Sequence, residues 1–306
     1  MMKSKFISYT LAVILILGLF FSSSCTHVPE QAPKTIPPVQ APPDTNKLFF
    51  SSLENRLIAD GLNADFVRNL FQNPAVKLEP RIIAGNLKRS EKRLNYKQFL
   101  TDVSVLKGKN YLAEHCASLE KTYKKSGVPP STIVAILTVE TWLGSYTGKY
   151  STINVLSTMA TAGDPRVQEK IFSFYSNKTI APETKTKILS SLERREKRGY
   201  RDLKFLLAYL DKNRLDPLSI RGSVEGAIGI PQFLPSSIHY YGKDGDGDGV
   251  IDLFNHADAI ASAANFLNAH QWGNARKVEE KKRVLLHYNR SVYYVDTVWA
   301  LAEKLK

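Results

Sequence analysis

Residues 131–144, STIVAILTVETWLG, restrict the fold more than any other stretch of the chain. Pro129 and Pro130 precede them, Ser131 suits a helix N-cap and Gly144 suits a stop, so the segment is expected to be helical. Ile133, Ile136, Leu137 and Leu143 then share one stripe, which requires a core that the rest of the chain must build around it. Glu140 stands in the middle of that stripe. An ionised carboxylate is costly there, so it must either find a cation or keep its proton to higher pH. A paired structural Glu satisfies the first alternative, and a general acid working near neutral pH satisfies the second.

The remaining pattern is helical from Leu48 onward. Apolar residues recur three and four apart over Leu48–Gly61, Ala64–Gln72, Tyr96–Leu100 and Tyr111–Ser126. Gly61, Pro74, Pro80, Gly85 and Gly127 punctuate these runs. Further helices are expected over Ser151–Ala162, from Pro165, over Ser190–Asn213, over Ala259–Leu267 and over Val292–Leu305. Alternating runs are few, so the class is mainly α. At 306 residues the chain can hold one large domain or two ordinary ones.

The N-terminus has a different character. Residues 1–25 read as an export signal, with Lys3 and Lys5 ahead of an apolar segment, Leu11–Phe21, that is too short to span a bilayer. Ser22-Ser23-Ser24-Cys25 resembles a bacterial lipoprotein cleavage box, which implies acylation at Cys25 and an outer-membrane lipoprotein facing the periplasm. Residues 26–46 are Pro-rich and serve as a tether, leaving 47–306 as the folded domain. With Cys25 acylated, Cys116 has no partner and is expected to be a small buried residue outside any disulfide.

A net charge of +13 and a pI near 9.5 call for an anionic environment: nucleic acid, a lipid surface or an acidic wall polymer. No nucleic-acid signature accompanies the charge. The densest basic run, Glu193–Arg201, mixes acids with bases and reads as a solvated helix face, so nucleic acid is not an expected partner.

Three further constellations carry chemistry. In Arg221–Ser237, RGSVEGAIGIPQFLPSS, Gly222, Gly226 and Gly229 permit close backbone approach. Ser223 and Gln232 there suit hydrogen bonding to a neutral sugar amide, or capping of their own turn. The glycine spacing fits no dinucleotide fingerprint, and no organic cofactor is expected. The run Asp244-Gly-Asp246-Gly-Asp248-Gly249-Val250 has the EF-hand order of oxygen ligands, with the sharp turn at its sixth position. Asn255 replaces the usual acid at the twelfth position, and Asp258 is placed to supply the missing carboxylate. A hard cation here is structural, because the loop is far from Glu140 in sequence. Finally, Tyr288, Asn289 and Tyr294 suit sugar stacking and hydrogen bonding, or ordinary packing.

Taken together, GVPPSTIVAILTVETWLG, LDPLSIRGSVEGAIGIPQFLPSS, DGDGDGVIDLFNHADAIASAANFLNAHQW and YNRSVYYVDTVWALAEKL resemble the membrane-bound lytic murein transglycosylase B family. The resemblance implies a lysozyme-like catalytic α domain that cleaves peptidoglycan between N-acetylmuramic acid and N-acetylglucosamine, leaving a 1,6-anhydro end. It further implies Glu140 as acid and then base. Ser223, Gln232, Tyr288, Asn289, Tyr294 and Arg166 would contact the saccharide. Calcium would be held by Asp244, Asp246, Asp248, Asp258 and the Val250 carbonyl, and the enzyme is read as a monomer. Two departures stand out: Trp142-Leu143 follow Thr141, and Val167 follows Arg166 where the family has a second arginine. A hydrolytic muramidase and a non-catalytic, calcium-dependent glycan binder are the alternatives.

Overall fold

Helix α6 (Pro130–Thr141) is buried on every side rather than along one stripe: each residue from Ser131 to Thr138 is inaccessible. The computed structural model describes residues 45–88, 95–175 and 180–306, so the export signal, Cys25 and tether residues 26–44 lie outside them, whereas Thr45 and Asn46, expected in the tether, open the first helix. Ser131 is not the N-cap. Pro130 takes the first helical position, where a missing N–H costs nothing, and Ser131 is drawn inside the first turn. Ile133, Val134, Ile136 and Leu137 are fully buried, each contributing about 1.5–3 kcal/mol. The Thr138 hydroxyl satisfies itself by donating to the Val134 carbonyl at 2.7 Å.

Four helices enclose α6: α4 (Asp102–Glu114), α5 (Cys116–Ser126), α11 (His256–Ala269) and α13 (Val292–Lys304). The expected helix 111–126 is therefore two, broken at His115. That side chain turns inward to stack on His256 with ring centres 4.5 Å apart, and Cys116 opens the next helix on the outer surface. Cys116 is accordingly exposed, not buried.

A second layer holds α1 (Thr45–Ala59), α2 (Ala64–Gln72), α3 (Pro80–Leu87), α7 (Thr152–Ala160), α8 (Pro165–Phe172) and α9 (Pro182–Asn213). Helix α9 begins eight residues before the expected Ser190, at a proline in its first turn. It lies along α7 at Gly199, where a Cβ would come within 2.5 Å of the Met159 Cβ, so only glycine allows the two backbones so close. The chain is completed by a 3₁₀ turn at Tyr96–Leu100, α10 (Pro235–Tyr241) and α12 (Val278–Tyr288). Among the described residues the one ribbon pairs β1 (Tyr150–Ser151) antiparallel with β2 (Arg221–Gly222), in register Tyr150 with Gly222 and Ser151 with Arg221. The mainly α class expected from the spacing is the class observed.

Candidate active site

Helix α6 stops one residue after Glu140, earlier than Gly144 suggests. Trp142, Leu143 and Gly144 follow with φ of 52°, 60° and 89°, all in the left-handed region. For the two non-glycine residues this conformation costs on the order of 1–3 kcal/mol each. The Trp142 N–H donates to the Thr138 carbonyl at 2.9 Å and the Leu143 N–H to the Leu137 carbonyl at 3.0 Å, which holds the turn. The abrupt stop leaves Val139 and Glu140 partly exposed at the end of a helix that is buried from Ser131 to Thr138.

The surrounding groups come from distant parts of the chain. Thr141 donates to the Ile230 carbonyl at 2.8 Å and so ties the helix end to the glycine-rich loop. Within that loop Ser223 Oγ accepts the N–H groups of Glu225 and Ala227, so Ser223 supports its own turn. Gln232, at φ 50°, donates from Nε2 to the Thr147 and Gly229 carbonyls, both at 2.9 Å. No donor among the described residues reaches its side-chain carbonyl. Tyr288 donates to the Pro231 carbonyl at 2.7 Å and packs on Phe233 and Phe266.

Tyr294 begins the buried face of α13, which continues through Val295, Val298, Leu301 and Ala302 against α6. Its ring stacks parallel to Tyr288, 6.4 Å away. Its hydroxyl is buried with no hydrogen bond of full geometry, and it faces the Glu140 carboxylate. Asn289 ends α12 next to Tyr288. Glu140, Gln232, Tyr288 and Tyr294 thus gather at one end of α6, with Asn289 following Tyr288 in the chain. Arg166 does not join them: it is paired with Asp164 at 2.5 Å and lies over Phe49 of α1.

Burial pushes the Glu140 pKa up to about 7, with the Tyr294 hydroxyl acting weakly in the opposite direction. Burial and the neighbouring Glu140 charge hold both tyrosines well above their ordinary value, so both remain donors. The carboxyl group is therefore poised to give up or take a proton near neutral pH.

Several contributors carry no sequence signal of their own. Thr141 is one. Tyr96, stacked on exposed Tyr293 at 6.5 Å, adds to the field at Tyr294. Glu225 is another, bonded to Arg195, Arg198 and Asn86. Two arginines of the run expected to be a solvated face therefore point inward, to the glycine-rich loop.

In the acidic loop, carboxylate oxygens of Asp244, Asp246 and Asp258 come within 4.8 Å of one another. All three are hard oxygen donors of the kind a calcium-sized cation takes, so the residues fit such an ion. Asp248 lies outside this trio and accepts the Val250 N–H at 2.8 Å. Burial raises the Asp258 pKa, whereas the Gly249 and Gly247 N–H groups lower that of Asp244. The loop buttresses the site directly. The Ile230 N–H donates to the Leu253 carbonyl at 2.8 Å, and a Cβ on Gly229 would meet the Leu253 Cβ at 2.4 Å.

Known proteins share a family model, sequence or fold with this chain. The family described as Transglycosylase SLT domain matches residues 45–282. The membrane-bound lytic murein transglycosylase B of Escherichia coli (strain K12) is 34% identical over 176 residues, covering 58% of this chain and 41% of that protein. The match thus spans less than half the length of that relative. Among solved structures, soluble lytic transglycosylase SltB1 from Pseudomonas aeruginosa shares the fold at a TM-score of 0.66 and 23% identity, over 85% of this chain and 98% of that one. Escherichia coli Slt35 in complex with calcium shares it at 0.64 and 22%, over 86% and 92%. Pseudomonas aeruginosa SltB3 in complex with NAG-anhNAM-pentapeptide shares it at 0.66 and 20%, over 85% and 79%.

Proposed function

The chain belongs to the transglycosylase SLT domain family, and from that premise we propose that it is a lytic murein transglycosylase with Glu140 as its only acid/base. The observation that carries the reading is a carboxyl with its pKa near 7 at the exposed end of a buried apolar helix, beside two tyrosines. Glu140 first gives its proton to the glycosidic oxygen as the bond from N-acetylmuramic acid to N-acetylglucosamine breaks. The acetamido group of the substrate stabilises the positive centre. The Glu140 carboxylate then removes the proton from the 6-hydroxyl, which closes the 1,6-anhydro ring, so the enzyme ends the cycle in its starting protonation state and no water is used. Gln232 and Asn289 offer amides to the sugar, Tyr294 faces and orients the carboxyl, and Tyr288, its hydroxyl committed to Pro231, packs the wall beside Tyr294. Mass spectrometry of products from purified sacculi tests this: anhydro ends are expected, and reducing ends alone would make the enzyme a hydrolase.

The proton balance fixes two pH effects. As donor, Glu140 must be protonated, so kcat/KM falls as pH rises through about 7. Because its folded pKa lies above the ordinary 4.5, the folded state binds the extra proton between those values. That stabilisation is complete below pH 4.5 and is lost as pH rises through 7. Wild-type Tm should therefore drop relative to Glu140→Gln between pH 5 and 8, and parallel melting curves across that range would refute the assignment.

Calcium is the ion assigned to Asp244, Asp246 and Asp258, supported by their convergence and by the calcium complex of Slt35. Its role is to neutralise three carboxylates and fix the loop that backs Ile230. EDTA should lower Tm and added calcium restore it, the bound ion stabilising the fold by about 2.7 kcal/mol at a hundredfold excess over Kd. An unchanged Tm would leave the loop a bare turn. The proposed substrate and the name of the Escherichia coli relative support a cell-envelope location, and acylation at Cys25 would anchor the enzyme there. Among the described residues no helix is long and apolar enough to cross a membrane.

A further inference from the structure

A concavity of about 380 Å³ opens beside the β1–β2 ribbon, and three cations from separate elements surround it: Lys77 after α2, Lys149 before β1 and Arg221 at the start of β2. All three side chains are exposed, and none forms an ion pair among the described residues. By contrast, Arg166, Arg195, Arg198 and Lys204 are each paired with a carboxylate. Glu79 is the only acid lining the concavity.

The surrounding backbone is firmly held. Asn154, almost fully buried, accepts the Lys77 N–H at 3.2 Å and donates to the Ala75 carbonyl at 3.1 Å, which fixes the loop bearing Lys77. Gly148 presses on Gly222 so closely that a Cβ would lie 2.2 Å from its carbonyl carbon. The backbones that carry Lys149 and Arg221 are thus held together, with Arg221 opposite Ser151 and Lys149 two residues before it. Three cations around one concavity, offset there by Glu79 alone among its lining residues, favour an anion, and the volume suits a short side chain rather than a polymer.

We propose that this concavity binds the carboxylates of the peptide side chains carried by murein glycan. The proposal rests on the glycan reading above and extends it. Lys149 lies on the segment that leaves Glu140, two residues after Thr147, whose carbonyl is held by Gln232. A glycan strand seated at Glu140 carries its regular anionic groups on the peptides attached to its muramic acids. Those carboxylates are the charges that come nearest the scissile bond. Tyr150, Leu218 and Pro74 supply apolar surface for the peptide's aliphatic parts.

The test uses the full chain with Lys77→Gln, Lys149→Gln and Arg221→Gln combined. An acidic stem tetrapeptide should bind wild type and Glu140→Gln alike, weaken with salt, and bind the triple variant about tenfold or more weaker, as loss of charge-assisted hydrogen bonds requires. Amidation of the peptide carboxylates should have the same effect. On glycan, the ratio of kcat/KM for peptide-bearing over amidase-stripped strands should fall about tenfold in the triple variant, through KM. Equal binding of the tetrapeptide by wild type and triple variant, or an unmoved ratio, overturns the proposal. The binding measurement decides the concavity whether or not Glu140 cleaves glycan, so failure of one reading is distinguishable from failure of the other.

Discussion

Glu140→Gln is expected to lose roughly 10² to 10⁴ in turnover of purified sacculi, the range that general acid/base catalysis supplies, while still binding insoluble murein. The substitution keeps the shape of the side chain and removes only the transferable proton. Among the described residues none near the end of α6 can replace it: Tyr288 and Tyr294 hold their protons well above the neutral range, and Gln232 has no acidic proton. The protein should also remain folded, because a neutral amide relieves the cost of an ionised group that burial already pushes toward protonation. Release of soluble fragments gives the rate, and co-sedimentation with sacculi gives the binding. A Gln variant that digests sacculi at the normal rate would mean the proton donor lies elsewhere.

The largest stability effect is expected at Glu225. This carboxylate joins three elements, accepting from Arg195 at 2.7 Å, from Arg198 and from Asn86 of α3. Glu225→Ala would leave two guanidinium groups facing each other in a partly buried setting, where burial already disfavours their charge. Removing one partner of a buried pair costs about 3–5 kcal/mol; side-chain exposures of 16–32% here reduce that to about 2–4 kcal/mol. A Tm decrease of roughly 4–12 °C follows for a domain of this size. The loop bearing Gln232 would loosen with it, so KM should rise as well. Glu225→Gln should recover part of both, since an amide still accepts one of the hydrogen bonds. A Tm within a degree of wild type would show that the arginines are satisfied by water.

The helices were legible where local signals agree. Ala64–Gln72 has its expected bounds, and its N-terminus is capped by Asn63. The break at His115 was not legible, because it depends on His256, which is distant in sequence and becomes a stacking partner only once α11 packs on α5. The reading of Cys116 as buried failed for the same reason: the break rotates the next helix and turns its first residue outward. Residues 193–201 mislead similarly. Their alternating charges look like a wetted face until Glu225 arrives from another element.

Glu140 shows both halves of the division. Sequence alone determined that a carboxylate sits in an apolar helix and must either pair or hold its proton, because helical spacing and the cost of burying charge are local matters. Which alternative holds was decided only by tertiary structure: α13 brings a tyrosine, not a cation, to face it, and the early stop of α6 opens it on one side. The acidic spacing likewise determined a cation-type loop. That the loop supports the active-site segment, through Ile230 and Leu253, depends on a backbone hydrogen bond that any residue types can make, so no sequence could announce it.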